Sequence, residues 1–298
     1  MTSPPSTDAV TPSTGIQWCR NRLLVPGSSL SLTLPYAESE LQDPILALRT
    51  VITEIASVPD EVSDPDVARR KLDWWRRGLE EQLPHPAITA LLETGAYQAL
   101  QLADFQRLIT AVSFAIDPPR FERLEEWVSH CLALSAPSAM LEARLVENLS
   151  DSSVPRDKNT DQALSELAAA SYQIRSVRDL VLDARHGRWW LPLELQAEFQ
   201  LNQVAVASSD PGDGLKSLIA HWMSTILSQR QLALNKISGN QAWCHRHQML
   251  SAALDHRLGQ SIQRNPEKIT KQRVLPTGFL ASVQLWRTAR SLSRNQSV

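Results

Sequence analysis

Residues 171–192 of this 298-residue chain read SYQIRSVRDLVLDARHGRWWLP, and they are the most informative stretch of the sequence. Ile174, Val177 and Val181 recur at spacings of three and four residues, which is typical of the apolar face of a helix. Because glycine is a common helix terminator, Gly187 marks the expected end of this helix. The stretch therefore predicts a long helix that begins after a polar loop.

The predicted helix carries two aspartates, Asp179 and Asp183, which are four residues apart and therefore share one face. Carboxylates at this spacing repel each other unless a cation joins them. Mg²⁺ prefers oxygen ligands and binds through one or two carboxylates together with substrate phosphates. The pair is therefore a candidate Mg²⁺ site. The arginines beside it, which would neutralise a bound diphosphate, are Arg178, Arg185 and Arg188.

An ordinary surface ion pair explains part of the same pattern without a metal. Arg175 precedes Asp179 by four residues, which is the spacing of such a pair on a solvated helix. Surface pairs of this kind are common and contribute little to stability. The spacing alone leaves both interpretations open.

The helical period continues along most of the chain. The low glycine count, 10 against 18 prolines, argues against tight β-turns and phosphate-binding loops. Helix starts are predicted at 64–65, 85–86 and 117–119, where proline follows Asp or His, and a further cap is expected within 159–161. No convincing alternating strand is found. We therefore predict an all-α fold of about ten helices in a single domain.

The chain divides into a tail, 1–16, and a helical domain, 17–294. The tail is rich in Ser, Thr and Pro and lacks the basic start and apolar core of a signal peptide, so we expect it to be disordered.

Composition excludes several classes of function. A formal net charge of −2 gives no global attraction to nucleic acid. Three widely spaced cysteines fit a reducing compartment, so we expect a cytoplasmic protein. No apolar run is long enough to span a membrane. No nucleotide-binding motif is present, and we expect no nucleotide cofactor.

Two segments near the C-terminus each allow two interpretations. The helix predicted at 276–293 places Leu280, Val283 and Trp286 among arginines. The favoured interpretation is a core-facing apolar stripe with a solvated basic face, and the alternative is peripheral contact with an anionic membrane. Residues 244–247 read CHRH and are expected to form a polar helix face, since such closely spaced ligands cannot complete a tetrahedral metal site without distant ones.

Several blocks, in order along residues 20–290, together match one family pattern. They are PGSS at 26–29 with LP at 34–35, KLDWWR at 71–76 with HP at 85–86, YQIRSVRD at 172–179, GRWWLP at 187–192, and the last helix from 275 to 287. In this ordered series the chain resembles the squalene/phytoene synthase family of all-helical isoprenoid synthases.

The resemblance implies an isoprenoid-synthase-like helical bundle around a central cavity, with two Asp-rich motifs that hold prenyl diphosphates through Mg²⁺. It further implies a Mg²⁺-dependent transferase that joins two prenyl diphosphates head to head. By the same resemblance, Asp179 and Asp183 would bind the metal, and Gln173, Arg178 and Arg188 would bind the diphosphate.

The first Asp-rich motif of that pattern is degenerate in this chain. Thr53 and Ser57 stand where the family has its outer aspartates, and Glu54 keeps the only charge. A hydroxyl is a neutral and weak Mg²⁺ ligand, so metal affinity on this side should be low. Glu54, Asp60 and Glu61 are the candidate replacements.

The sequence therefore supports two main hypotheses. The first is an active head-to-head prenyltransferase in which Glu54 or water replaces the lost aspartates. The alternative is a catalytically degenerate member that binds a prenyl diphosphate or another isoprenoid ligand, or that acts on a protein partner as an assembly factor does. A further hypothesis is a helical scaffold that shares only its architecture with the family.

Overall fold

The computed structural model describes residues 15–117, 119–151, 154–208, 212–276 and 278–295. Within these ranges the chain forms sixteen α-helices and one short 3-10 helix, and no strand. This confirms the predicted all-α fold.

The first half of the chain supplies eight α-helices and the 3-10 helix. They are α1 (Gly15–Leu23), α2 (Ser29–Thr33), the 3-10 helix (Leu34–Tyr36), α3 (Ser39–Ala56), α4 (Val58–Glu61), α5 (Pro65–Glu80), α6 (Pro86–Glu93), α7 (Leu102–Ser113) and α8 (Leu124–Leu149). The helical part begins two residues before the predicted boundary, because Gly15 and Ile16 already belong to the first turn of α1. The rest of the predicted tail lies outside the described residues.

The second half supplies eight more α-helices. They are α9 (Lys158–Arg185), α10 (Leu193–Glu198), α11 (Gln203–Ala207), α12 (Gly212–Leu234), α13 (Gly239–Cys244), α14 (Arg246–Arg264), α15 (Lys268–Lys271) and α16 (Phe279–Asn295). Helices α13 and α14 follow each other directly, with only His245 between them.

Local capping accounts for several of these helix starts. Asp64 accepts hydrogen bonds from the backbone N–H groups of Asp66 and Val67, so the predicted start of α5 is confirmed. The expected cap of α9 within 159–161 is wrong, because the side chain of Asp157 accepts the N–H of Thr160 instead. The start predicted at 117–119 is also wrong, since α8 begins only at Leu124.

Two large apolar clusters form the interior. The first lies among α1, α3, α5, α6 and α7. The second lies among α9, α12 and α14 and the short helices between them. Helix α8 belongs to both, because Trp127 near its start packs in the second cluster and Leu145 near its end packs in the first.

A buried ionic cluster joins α3, α8 and α14. The Glu142 carboxylate is fully buried and pairs with the Arg49 guanidinium, and its Oε1 lies 2.7 Å from Nδ1 of His247. Nε2 of His247 lies 3.2 Å from the Thr33 hydroxyl. Burial raises the pKa of Glu142, but Arg49 and His247 outweigh burial and lower this pKa to about 2. Glu142 is therefore a buried carboxylate that stays ionised.

Residues 244–247, which include His247 of this cluster, are all buried. They do not form the expected single polar helix face, because His245 divides them between α13 and α14. They border a cavity of about 10 Å³, which is the space of a single water molecule. A larger central cavity between the helices remains a prediction of the family resemblance.

Helix α16 also differs from the prediction. Ala281 and Leu285 are its buried residues and pack against Leu250 and Leu254 of α14. The residues expected to face the core point elsewhere, as 64% of Leu280 and 52% of Trp286 are exposed. The apolar stripe therefore lies on the outside.

Two histidines, buried His245 and half-buried His256, predict a pH dependence of stability. Burial lowers the pKa values of His245 and His256 to about 4, so both are neutral in the folded chain near pH 5. In the unfolded chain they titrate near pH 6.5, which means that the unfolded state binds protons first and stability falls as pH drops from 6.5 towards 4. The loss should reach about 2 kcal/mol for each histidine, or about 4 kcal/mol for the two together, between pH 7.5 and 5.

Urea unfolding at both pH values measures this loss. Between these pH values a His245→Gln/His256→Gln variant should lose less stability than the wild type. His186→Gln, which changes an exposed histidine, should lose as much as the wild type. An equal loss in the double variant and the wild type would contradict the assignment.

Candidate functional site: an arginine–aspartate cluster

Asp179 lies near the C-terminal end of α9, where two arginines hold it. Arg178 donates from Nε to its Oδ1 at 2.8 Å and forms a second bond from Nη2 to Oδ2. Arg273, between α15 and α16, donates from Nε and Nη2 to the same two oxygens, each at 3.1 Å. Both carboxylate oxygens are thus engaged by guanidinium groups in bidentate fashion.

Asp183 lies one turn further along α9 and has two partners of its own. Its Oδ1 accepts bonds from Arg188 Nη2 at 2.6 Å and Nε at 3.1 Å. Its Oδ2 accepts a bond from the indole N–H of Trp190 at 3.1 Å. Arg188 also donates from Nη1 to Oδ1 of Asp60 in α4, at 3.0 Å.

These contacts form one group, which we call the Arg–Asp cluster. Three carboxylates are balanced by three guanidinium groups, so the cluster carries no net charge. Its members are Asp60, Arg178, Asp179, Asp183, Arg188 and Arg273.

The ion pairs shift the protonation equilibria of the cluster. Burial raises the pKa of Asp179, but the hydrogen bonds from Arg178 and Arg273 outweigh it and the pKa is lowered. The hydrogen bonds that Arg273 donates to Asp179 raise the pKa of Arg273. Burial lowers the pKa of Arg188, yet its bonds to Asp183 dominate and the pKa is raised. Asp179, Arg188 and Arg273 are therefore charged at neutral pH.

The cluster as it stands does not fit a resident Mg²⁺ ion. Each carboxylate of α9 already accepts donors on both oxygens, and a metal would have to displace them. Within the part of the chain that the structure describes, no three acidic, His or Cys side chains are grouped as a metal site would need. The predicted role of Asp179 and Asp183 as metal ligands therefore stays a prediction.

The residues predicted to form the degenerate first motif are engaged in other contacts. The Thr53 hydroxyl donates to the backbone carbonyl of Arg49 at 2.7 Å, and that of Ser57 donates to the carbonyl of Glu54 at 3.3 Å. The Glu54 carboxylate accepts a bond from Arg22 at 2.8 Å. The two hydroxyls thus bond to their own helix, and the one acid is already paired.

The remaining predicted residues lie outside the cluster. Gln173 is buried, and its Oε1 has no hydrogen-bond partner. Arg185 donates to the backbone carbonyls of Ala207 and Thr270, so it braces neighbouring segments. The expected pair of Arg175 with Asp179 is wrong, because Arg175 bonds to Asp255 of α14 at 2.6 Å.

Sequence reasoning missed three side chains of the site. Arg273 precedes the block that resembles the last family helix, and its position beside Asp179 depends on a contact across 94 residues. Asp60 entered only as a possible metal ligand, whereas it pairs with Arg188. Trp190 lies in the GRWWLP block at 187–192, and the sequence predicted no role for its side chain.

An aromatic cluster holds the Trp190 side chain that bonds to Asp183. Trp190 stacks on Trp127 with ring centroids 4.9 Å apart, and Trp127 meets Trp222 edge to face at 4.6 Å. Trp222 is buried among α9, α12 and α14. This packing fixes the indole N–H that bonds to Asp183.

Comparisons with known proteins agree with the helical fold and with the ordered sequence blocks. The fold is similar to that of a dehydrosqualene synthase solved with a ligand, with a TM-score of 0.74 and 15% identity over 94% of this chain and 96% of that one. It is also similar to squalene synthase HpnC from Alicyclobacillus acidocaldarius, with a TM-score of 0.66 and 17% identity over 84% and 93% of the two chains. No curated protein sequence matches significantly. The model of the squalene/phytoene synthase family matches residues 25–280, and this chain therefore belongs to that family.

Proposed function

We propose that this chain binds one prenyl diphosphate at the Arg–Asp cluster and does not join two of them. The observation that carries the proposal is the pairing of Asp179 and Asp183 with arginines. The first motif, as the family resemblance aligns it, has Thr53 and Ser57 in place of the outer aspartates. The family and the fold support an isoprenoid diphosphate as the ligand.

The arginines of the cluster supply the chemistry that a diphosphate requires. The side chains of Arg188 and Arg273 are 47% and 56% exposed, so both can turn from a carboxylate to a ligand. A diphosphate carries more negative charge than one carboxylate and offers more acceptor oxygens. It therefore competes for guanidinium groups, which bind phosphate oxygens in bidentate fashion.

The loss of the joining reaction follows from charge. Head-to-head joining requires two diphosphates to be held and released, and their charge must be neutralised on both sides of the site. Thr53 and Ser57 bring no charge to the first-motif side, and Glu54 is already paired with Arg22. A single diphosphate is therefore the better match.

An active transferase is the second candidate. It is favoured by the family match and by the retention of both aspartates on one face of α9, each with a side chain less than one fifth exposed. In that case water or Glu54 would have to replace the missing carboxylates.

A product assay separates the two candidates. Purified protein would be incubated with Mg²⁺ and C15 or C20 prenyl diphosphate, with and without NADPH, and extracts examined by mass spectrometry. We expect no C30 or C40 product, while calorimetry on the same preparation should detect binding of the diphosphate.

An Asp179→Asn/Asp183→Asn variant serves as the control for this assay. A C30 or C40 product from the wild type that disappears in the variant would establish the transferase. Absence of both product and binding, from folded protein, would remove the prenyl diphosphate from the proposal.

A further inference from the structure

The outward side of α16 is unusually apolar for an exposed helix. Successive residues turn by about 100°, so Phe279, Val283 and Trp286 share one side, opposite the packed Ala281 and Leu285. Phe279 is 81% exposed and Trp286 52%. We call this side the outer face of α16. Its flanking exposed residues are Leu275 and Leu280.

The same face becomes basic towards its C-terminal end. Arg287, Arg290 and Arg294 are exposed and follow the aromatic residues at helical spacing. The guanidinium of Arg290 lies 5.3 Å from the Trp286 ring centroid. The face therefore combines cationic and aromatic groups in one surface.

Charge is strongly segregated towards this end of the chain. Residues 264–294 contain seven Lys or Arg and a single acid, Glu267, whereas the whole chain has a formal net charge of −2. Glu267 lies 3.1 Å from Lys216 of α12 and is thus already paired. The α16 sequence itself contains no acid.

We propose that the outer face of α16, with Leu275, docks onto an anionic lipid bilayer. A helix with aromatic and aliphatic groups beside arginines lies in a bilayer interface, where the rings enter the headgroup region and the cations meet lipid phosphates. No described helix is both long and apolar enough to cross a membrane, so the contact is peripheral.

Charge complementarity selects a lipid surface over a protein partner. The three exposed arginines of α16 match a continuous anionic surface, and no acid on α16 offers a partner for a basic or mixed protein surface.

The docking surface lies close to the Arg–Asp cluster. Leu275 follows Arg273 by two residues of non-helical chain, which span about 7 Å at most. A bilayer at Leu275 would therefore lie beside the cluster, where an apolar prenyl chain could pass from lipid to protein. The docking itself does not depend on the proposed function.

Vesicle flotation tests this inference with the full chain. Vesicles of phosphatidylcholine containing about one third phosphatidylglycerol should carry the protein, and vesicles of pure phosphatidylcholine should not. Raising the salt concentration should reduce binding, since it screens the attraction to lipid phosphates.

Matched variants locate the contact on the chain. Phe279→Ser should weaken vesicle binding about tenfold or more, whereas Phe114→Ser, which changes a 61% exposed Phe on another helix end, should leave it unchanged. Arg287→Glu/Arg290→Glu should weaken it by a further large factor, about fivefold for each charge removed.

The vesicle-binding results of the wild type and the variants decide whether the proposal stands. Loss of binding in the α16 variants with normal binding of Phe114→Ser supports the proposal. Failure of the wild type to bind anionic vesicles overturns it, as does equal binding of Phe279→Ser. Circular dichroism of each variant verifies that the fold is intact.

Discussion

Replacing Glu142 with alanine is expected to lower the free energy of unfolding by about 3–5 kcal/mol. The fully buried carboxylate is the counter-charge of Arg49 and the hydrogen-bond partner of His247. Its removal leaves the Arg49 guanidinium without its counter-charge in the interior and breaks the contact among α3, α8 and α14. The truncated side chain also leaves a space beside an existing cavity.

Urea unfolding followed by circular dichroism measures this loss. Glu125→Ala is the matched control, because Glu125 lies on the same helix with a side chain that is 84% exposed, and its loss should cost less than about 0.5 kcal/mol. Glu142→Gln keeps the volume and one acceptor, so it should fall between the two. A Glu142→Ala protein as stable as Glu125→Ala would show that the buried cluster does not support the fold.

Replacing both Arg188 and Arg273 with alanine is expected to weaken prenyl diphosphate binding by a factor of about 100 or more. Hydrogen bonds to charged groups contribute about 1.5–3 kcal/mol each, so every guanidinium removed should cost at least tenfold. The substitution also removes one guanidinium group from each aspartate of α9, which leaves Asp179 with Arg178 and Asp183 with the Trp190 N–H. Their less compensated charge would then repel the diphosphate.

Calorimetric titration with a C15 prenyl diphosphate, with and without Mg²⁺, gives the affinities. Arg76→Ala is the matched control, since the Arg76 side chain is 40% exposed and pairs with Asp73 of its own helix, away from the cluster. Arg273→Lys should recover part of the loss because it restores charge but not the bidentate geometry. Unchanged affinity in the double variant would place the diphosphate elsewhere.

Local features of the fold could be predicted from the sequence because they depend on neighbouring residues. The start of α5 at Asp64-Pro65 and the long helix carrying Asp179 and Asp183 follow from capping and periodicity, and the structure confirms them. The family resemblance depends on ordered blocks, and it is confirmed by the family match over residues 25–280.

Partners of charged side chains could not be predicted, because they are chosen by tertiary packing. Arg175 has an aspartate at ideal helical spacing, yet it bonds to Asp255, 80 residues away. Arg273 reaches Asp179 only because the segment after α15 lies against α9. No periodicity in a single sequence encodes such long-range contacts.

The orientation of α16 was mispredicted for a related reason. Its outer side carries the larger apolar residues, including Leu280 and Trp286, so periodicity alone assigns that side to the core. Its packed side holds only two buried residues, Ala281 and Leu285, against α14, which is too few for periodicity to identify.

The packing of helix α8 in both apolar clusters affects how the chain unfolds. It spans about 39 Å at 1.5 Å per residue and is continuous through Pro137, which removes one helical hydrogen bond midway. Its two ends are packed in different apolar clusters. If either cluster unfolds, one half of α8 therefore loses its tertiary contacts. A half-supported helix is only marginally stable in water. The two clusters are therefore thermodynamically coupled, and the molecule behaves as one cooperative unit of unfolding rather than as two.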